Sequence, residues 1–203
     1  MIEATSAPAS LSPASSSPNA SDGSGVASAP LPRTVSESQS EMTELILPND
    51  TNTLGNLLGG RLMHFIDLVG AMAAYRHART HVVTASMDHI DFIAPVHVGD
   101  LLILKSSLNR AFRTSMEVGV KVWVEHTIDG TLRHVASAYL TFVAVNPQGG
   151  RVRVPPLEPE TEDDKRRYHD AGRRREQGEL ERERKQRARA ETLAAAGHEY
   201  TST

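Results

Sequence analysis

The chain has 203 residues, 39% of them hydrophobic and 23% charged, which is enough for one core of ordinary size plus tails, so the composition predicts a single globular domain. A formal net charge of -3 argues against nucleic acid as the main ligand, and the absence of cysteine removes disulfides, thiolate metal sites and a cysteine nucleophile while fitting a reducing compartment. No apolar run approaches the roughly 20 residues needed to cross a bilayer, and the amino terminus has neither a basic nor an apolar signal region, so the sequence predicts a cytoplasmic protein without membrane insertion.

Residues 1–40 are Ser, Ala and Pro with few charges and almost nothing to bury, and read as a disordered leader. Ordered chain is predicted from Glu41, with a short strand over Glu44 to Leu47 and a turn at Pro48-Asn49-Asp50. From Gly59 to about Arg79 the pattern is helical and apolar on nearly every side, through Leu62, Met63, Phe65, Ile66, Leu68, Val69, Met72 and Ala73. Such a helix is a buried one.

One acid, Asp67, stands in its middle. Burying an ionised carboxylate is costly unless it is paired or hydrogen-bonded, so Asp67 is either catalytic or tied to a nearby backbone donor or to His64. The pair Gly59-Gly60 at the helix start either lets a ligand approach free amides at the positive end of the helix or lets the helix pack closely.

Four strand-like segments come next, over Val82 to Phe92, Leu101 to Phe112, Ser115 to His126 and Leu132 to Val145, with turns at Pro95, Gly99 and Asp129-Gly130. In the third, Met116, Val118, Val120, Val122 and Val124 alternate with Glu117, Lys121, Trp123 and Glu125. At about 12 residues, or roughly 40 Å, such strands suit a sheet that curls around something, and the apolar helix is what there is to curl around. The order predicts an α+β fold, and a helix apolar all round needs more cover than one such sheet supplies, which implies at least a dimer.

Beyond Asn146 the chain leaves this unit. Thr161 to about Ala196 is rich in opposite charges at i, i+4 spacing with almost no apolar stripe, and predicts a solvated helix. The nine histidines show no metal-ligand spacing, and Asp88 and Asp91 rank below Asp67 as candidate acids.

PNDTNTLGNLLGGRLMHFIDLVGAMAAYRHA, VVTASMDHIDFIAPVHVGD, RTSMEVGVKVWVE and YLTFVAVNPQGG, in that order, resemble the hotdog-fold acyl-CoA thioesterases of the YciA and brain acyl-CoA hydrolase type. VPPLEPETEDDKRRY is similar to the tail of the latter group, so the resemblance runs from about Glu41 to Tyr168. It implies a hotdog domain over 41–157 whose five-stranded antiparallel sheet wraps one long central helix, preceded by the leader over 1–40 and followed by a charged tail over 158–203; the leader and the last stretch of charged helix lie outside the resemblance. The family pattern falls on Asn52, Gly55, Gly59, Gly60 and Asp67.

The activity implied by the resemblance is hydrolysis of acyl-CoA to a free acid and coenzyme A, with no metal or cofactor. Asp67 serves as general base or nucleophile, the amides of Gly60 and Gly59 bind the oxyanion, and Asn52 holds the water or braces the carbonyl. Thr84 and Ser86, with Arg113, Thr114 and Ser115, are candidates to meet coenzyme A. The implied assembly is a homodimer with two shared sites, extended in some members to a hexamer. Spacing bears on this independently: seven residues separate Gly60 from Asp67, about 10 Å along a helix, too far for both to touch one carbonyl. The two must then come from different subunits. The competing expectation is a non-catalytic acyl-CoA-binding or sensing module on the same fold, and a histidine-dependent dehydratase ranks below it.

Overall fold

Alternation along the strands and a one-sided helix build the molecule. The computed structural model describes residues 30–199. Five strands form an antiparallel sheet in the order β2-β4-β5-β6-β3: β2 is Ser40–Leu45, β3 His81–Phe92, β4 Leu101–Ala111, β5 Ser115–Glu125 and β6 Leu132–Val145. The helix α1, Gly59–Ala78, lies along its inner face. Met116, Val118, Val120, Val122 and Val124 of β5 all turn inward and are at most 3% exposed. They meet Leu62, Phe65, Ile66, Val69 and Ala73 of the helix, within a single core. Gly70 lets α1 approach β6, because a Cβ there would stand 3.3 Å from the Phe142 ring.

The helix stops at Arg79, whose φ of 52° is left-handed and whose N–H reaches back to the carbonyl of Tyr75 at 3.0 Å. β3 then starts at His81 and occupies one edge of the sheet, with β-bulges between Thr84 and Ser86 and between Met87 and His89.

Three readings of the sequence need correction. Strand structure begins at Arg33, ahead of the expected Glu41: β1, Arg33–Thr34, pairs in parallel with β7, Leu157–Glu158, and Val35 and Ser38 are buried behind this clasp. A single apolar anchor, Val35, was hidden by its Ser-rich surroundings. Residues 1–29 of the expected leader over 1–40 lie outside the described residues. The next strand is likewise displaced, running over Ser40–Leu45 where Glu44 to Leu47 was expected.

As expected of an all-round apolar helix that one sheet cannot enclose, α1 is left partly uncovered. Met63, Leu68, Met72 and Tyr75 are 40–48% exposed, because one five-stranded sheet reaches only one flank of a helix. Third, the tail helix α2, Glu162–Glu199, is solvated only in part. Its first turns dock on the outer face of the sheet, burying Ala171 and Asp164, and the docking runs through charge: Arg174 pairs with the buried Glu117 of β5. An apolar stripe was the wrong signal to look for. Among the described residues no helix is long and apolar enough to cross a membrane.

Candidate active site

Asp67 sits two turns into α1, half-buried, on the same side as the exposed Met63 one turn earlier. Its carboxylate is reached from the sheet edge: the Thr84 hydroxyl of β3 donates to Oδ1 at 2.7 Å. No Lys, Arg or His forms an ion pair with it among the described residues, and the His64 ring lies against Phe65, with centroids 5.9 Å apart. The expected local partners of the acid, a backbone donor or His64, are therefore replaced by a hydroxyl from another element. That leaves Oδ2 open.

The other half of the predicted constellation gathers at the start of α1. Thr51 to Leu57 form a tight loop, closed by Asn52 N–H to the Asn56 carbonyl at 2.9 Å and by Leu58 N–H to the Asp50 carbonyl at 2.9 Å. Gly55, at a φ of 75°, makes the turn that a side chain would strain. The Asn52 side-chain oxygen accepts two backbone N–H groups, from Leu54 at 2.9 Å and Asn56 at 3.2 Å. Because both partners are donors, the atom they meet is the oxygen, and the exposed NH2 is what Asn52 offers to a ligand. The first helical N–H bonds are those of Arg61 and Leu62 to the Leu58 carbonyl, so the amides of Gly59 and Gly60 precede the ladder and point outward. Gly60 has open space where a Cβ would be. An apolar cleft of about 380 Å³ abuts this point, lined by Leu57, Gly59, Phe92, Ile93 and Val96.

Within one chain these two halves stay apart. Asp67 contacts Thr84 near one end of β3, while Gly59 lies beside Phe92 at the other. Of the remaining candidates, Ser86 is half-buried on β3, and Arg113, exposed, and Thr114, half-buried, form the β4–β5 turn. Ser115 is only 7% exposed, opposite Val143. The turn's backbone is anchored by Ala144 N–H to the Thr114 carbonyl at 3.0 Å and Val154 N–H to the Arg113 carbonyl at 3.1 Å. It stands at the His81 end of β3, away from Gly59 of its own chain.

Sequence reasoning passed over Asp50 and Arg61. Asp50, 5% exposed, receives Leu47 N–H at 3.1 Å and Arg61 Nε–H at 2.8 Å, tying the Asn52 loop to the first turn of α1. An acid beside a turn proline looked like turn chemistry, and an arginine in a first helical turn runs against the dipole. That mismatch was the available signal. A larger cleft of about 720 Å³, bordered by Lys105, Lys121, Trp123 and Tyr139, opens on the outer face and includes none of the candidate site residues.

The model of the thioesterase superfamily matches residues 54–131. The uncharacterized acyl-CoA thioester hydrolase YkhA of Bacillus subtilis is 42% identical over 135 residues, covering 66% of this chain and 78% of that protein. Among solved structures, an acyl-CoA hydrolase from Staphylococcus aureus, in complex with butyryl coenzyme A and coenzyme A, superposes with a TM-score of 0.72 at 34% identity, over 80% of this chain and 98% of that one. A hexameric acyl-CoA thioesterase superposes with a TM-score of 0.70 at 40% identity, over 78% and 97%.

The Staphylococcus protein has also been solved as three alanine variants, of an aspartate, of an asparagine 15 positions before it and of a threonine 17 positions after it. Asn52, Asp67 and Thr84 have the same spacing. With the hotdog architecture in place and this likeness running over most of the length of such proteins, the chain belongs to the acyl-CoA thioester hydrolases of the thioesterase superfamily.

Proposed function

We propose that the protein hydrolyses acyl-CoA thioesters to a free carboxylic acid and coenzyme A, at two equivalent sites shared across a homodimer. The observation that carries this is Asp67, an acid on the uncovered strip of an apolar helix, fixed by one hydroxyl and paired with no cation among the described residues. β3 is a 12-residue edge strand, and an edge of that length calls for a partner. If it pairs antiparallel with its own copy about a two-fold axis near Asp88, midway between Thr84 and Phe92, Asp67 of one chain faces Gly59 and Gly60 of the other. The exposed Met63, Leu68 and Met72 are covered in the same step. Further assembly into a hexamer is supported by the hexameric thioesterase that this chain resembles.

In the site, the thioester oxygen rests against the Gly60 N–H, aided by Gly59 and by the Asn52 NH2. Asp67 takes a proton from water, whose oxygen adds to the thioester carbon. The resulting oxyanion is held by donors already aimed at it, each worth about 3 kcal/mol in the transition state. Its collapse breaks the carbon–sulfur bond, and the coenzyme A thiolate takes the proton. The reaction consumes water and calls for no cofactor. Thr84 fixes one carboxylate oxygen so that the other faces the water. Thr114 and Arg113, carried at the end of the sheet that this dimer sets beside the partner's Gly59, are placed to meet the nucleotide end of coenzyme A; Ser86 lies along the shared edge, and the buried Ser115 supports the turn. Freedom from cysteine supports a cytoplasmic setting.

Turnover of acyl-CoA substrates of graded length, monitored by a thiol-trapping dye, tests this reading. Coenzyme A release that Asp67→Asn abolishes is the expected result; tight binding without release would make the chain a sensor instead. In single-turnover hydrolysis in oxygen-18 water the label is expected in the product acid alone, and label in the Asp67 carboxylate would replace base catalysis by an anhydride intermediate.

A further inference from the structure

We infer that the Asp50–Arg61 ion pair is a positioning device for the oxyanion-binding half of the site, locking the Asn52 loop and the first turn of α1 into one rigid body. This rests on the thioesterase reading above. Asp50 touches both pieces. Its main-chain carbonyl accepts Leu58 N–H at 2.9 Å, closing the base of the loop, and its side chain accepts Leu47 N–H at 3.1 Å, closing the entry. Its remaining carboxylate oxygen takes the Arg61 Nε–H at 2.8 Å. Arg61 is one residue beyond Gly60, and its guanidinium stacks over the Phe65 ring with Cζ 4.6 Å from the centroid. Phe65 is a buried core residue, so the guanidinium is anchored to the core and cannot swing freely with the loop.

The consequence is geometric. The Asn52 NH2 is held by the loop, and the Gly60 N–H by the helix start. The two donor groups sit on different pieces of chain, and stabilising one oxyanion requires that their separation be constant. Nothing else described in the structure joins the two through side chains: the other loop bonds are internal to it, or run to Val96 and Val98 on the following segment. Arg61 occupies a position where a cation opposes the helix dipole, and Asp50 is a carboxylate at 5% exposure whose charge is met by this cation beside the Leu47 N–H. Neither choice suits stability alone. Both suit a fixed donor pair.

The test is steady-state acyl-CoA hydrolysis by the full-length chain carrying Asp50→Asn, Arg61→Lys or both, with thermal unfolding of each. Asp50→Asn preserves shape and removes the charge; Arg61→Lys preserves charge and removes the planar Nε–H donor. Each single variant is expected to lower kcat by about tenfold or more, KM staying within about twofold, as small misplacements of catalytic groups do. The pH–rate profile is expected to be unchanged, since the base is untouched, and the double variant to be no slower than the worse single one. Unchanged kcat, a rise confined to KM, or losses that follow the unfolded fraction would overturn the inference. Should Asp50→Asn fail to fold, Arg61→Lys, at a side chain 42% exposed, decides the matter alone. Failure of the thioesterase reading itself would show separately, as no coenzyme A release by the unsubstituted chain.

Discussion

Asp67 and Glu117 are carboxylates near the middle of the same domain, approached from opposite faces of one sheet, and the structure treats them in opposite ways. Glu117 on the outer face is 4% exposed and saturated: Arg174 of α2 binds both its oxygens, at 2.6 and 3.1 Å, and Asn109 donates to it at 2.9 Å. The guanidinium is itself stacked 3.8 Å above the Tyr139 ring. Asp67 has one hydroxyl and an open oxygen. A carboxylate enclosed by cation and amide holds two elements together with both its oxygens engaged; one oriented by a single neutral donor keeps a whole oxygen for a water. Exposure alone does not separate them by role: the more deeply buried acid is the one with its oxygens engaged, and on the proposed function the less buried one carries the chemistry.

That contrast is broken most sharply at the acid itself. Asp67→Asn is expected to lower kcat about a thousandfold while leaving the thermal midpoint unchanged, measured by thiol release and by calorimetry. Removing the outer cation should do the reverse. Arg174→Ala strands a buried carboxylate, and a loss of about 3 kcal/mol in urea unfolding is expected, with kcat at 25 °C retained. Thr84→Val sharpens the inner side: losing a hydrogen bond that orients but does not react is expected to cost about tenfold in kcat, well short of the loss at Asp67.

The smallest effect concerns a third buried titratable group, His77. Its Nε2–H donates to the Pro155 carbonyl at 2.9 Å, while Nδ1 is buried without a partner among the described residues. Burial holds its pKa below the ordinary 6.5, opposed by the Pro155 hydrogen bond; Arg33 pushes it lower and Glu37 raises it. The folded chain therefore keeps His77 neutral at a pH where the unfolded chain takes up a proton. Stability contributed this way is present above the unfolded value near 6.5 and declines as pH falls below it. His77→Gln is expected to flatten that decline in urea midpoints compared between about pH 7.5 and pH 5.5.

How much of this was legible depended on whether a signal was periodic or paired. The alternating valines of β5 and the apolar run of α1 announced strand and helix nearly to the residue, since a periodic pattern survives in one dimension. Asp67 stood out as a candidate because an acid inside that run breaks it. The clasp of β1 and β7 was not, because its partners lie more than 100 positions apart and expose a single apolar anchor, Val35, to view. The docking of α2 was missed for a related reason: Arg174 and Glu117 are separated by 57 residues, and a lone arginine in a charged helix looks like any other. The Asn52 NH2 could not have been chosen over its oxygen without the loop that occupies the oxygen.

The claim on which the rest depends is that Asp67 and the Asn52–Gly60 group act from different chains. Coexpressing Asp67→Asn and Asn52→Ala chains under separate tags, each inactive when alone, puts it to a direct measurement. Random pairing makes half of the dimers mixed, each with one intact site, so about a quarter of wild-type turnover is expected in the mixture and half in doubly tagged particles that are dimers. Turnover in those particles no higher than in either parent would mean that each site is built within one chain, and would contradict the shared site.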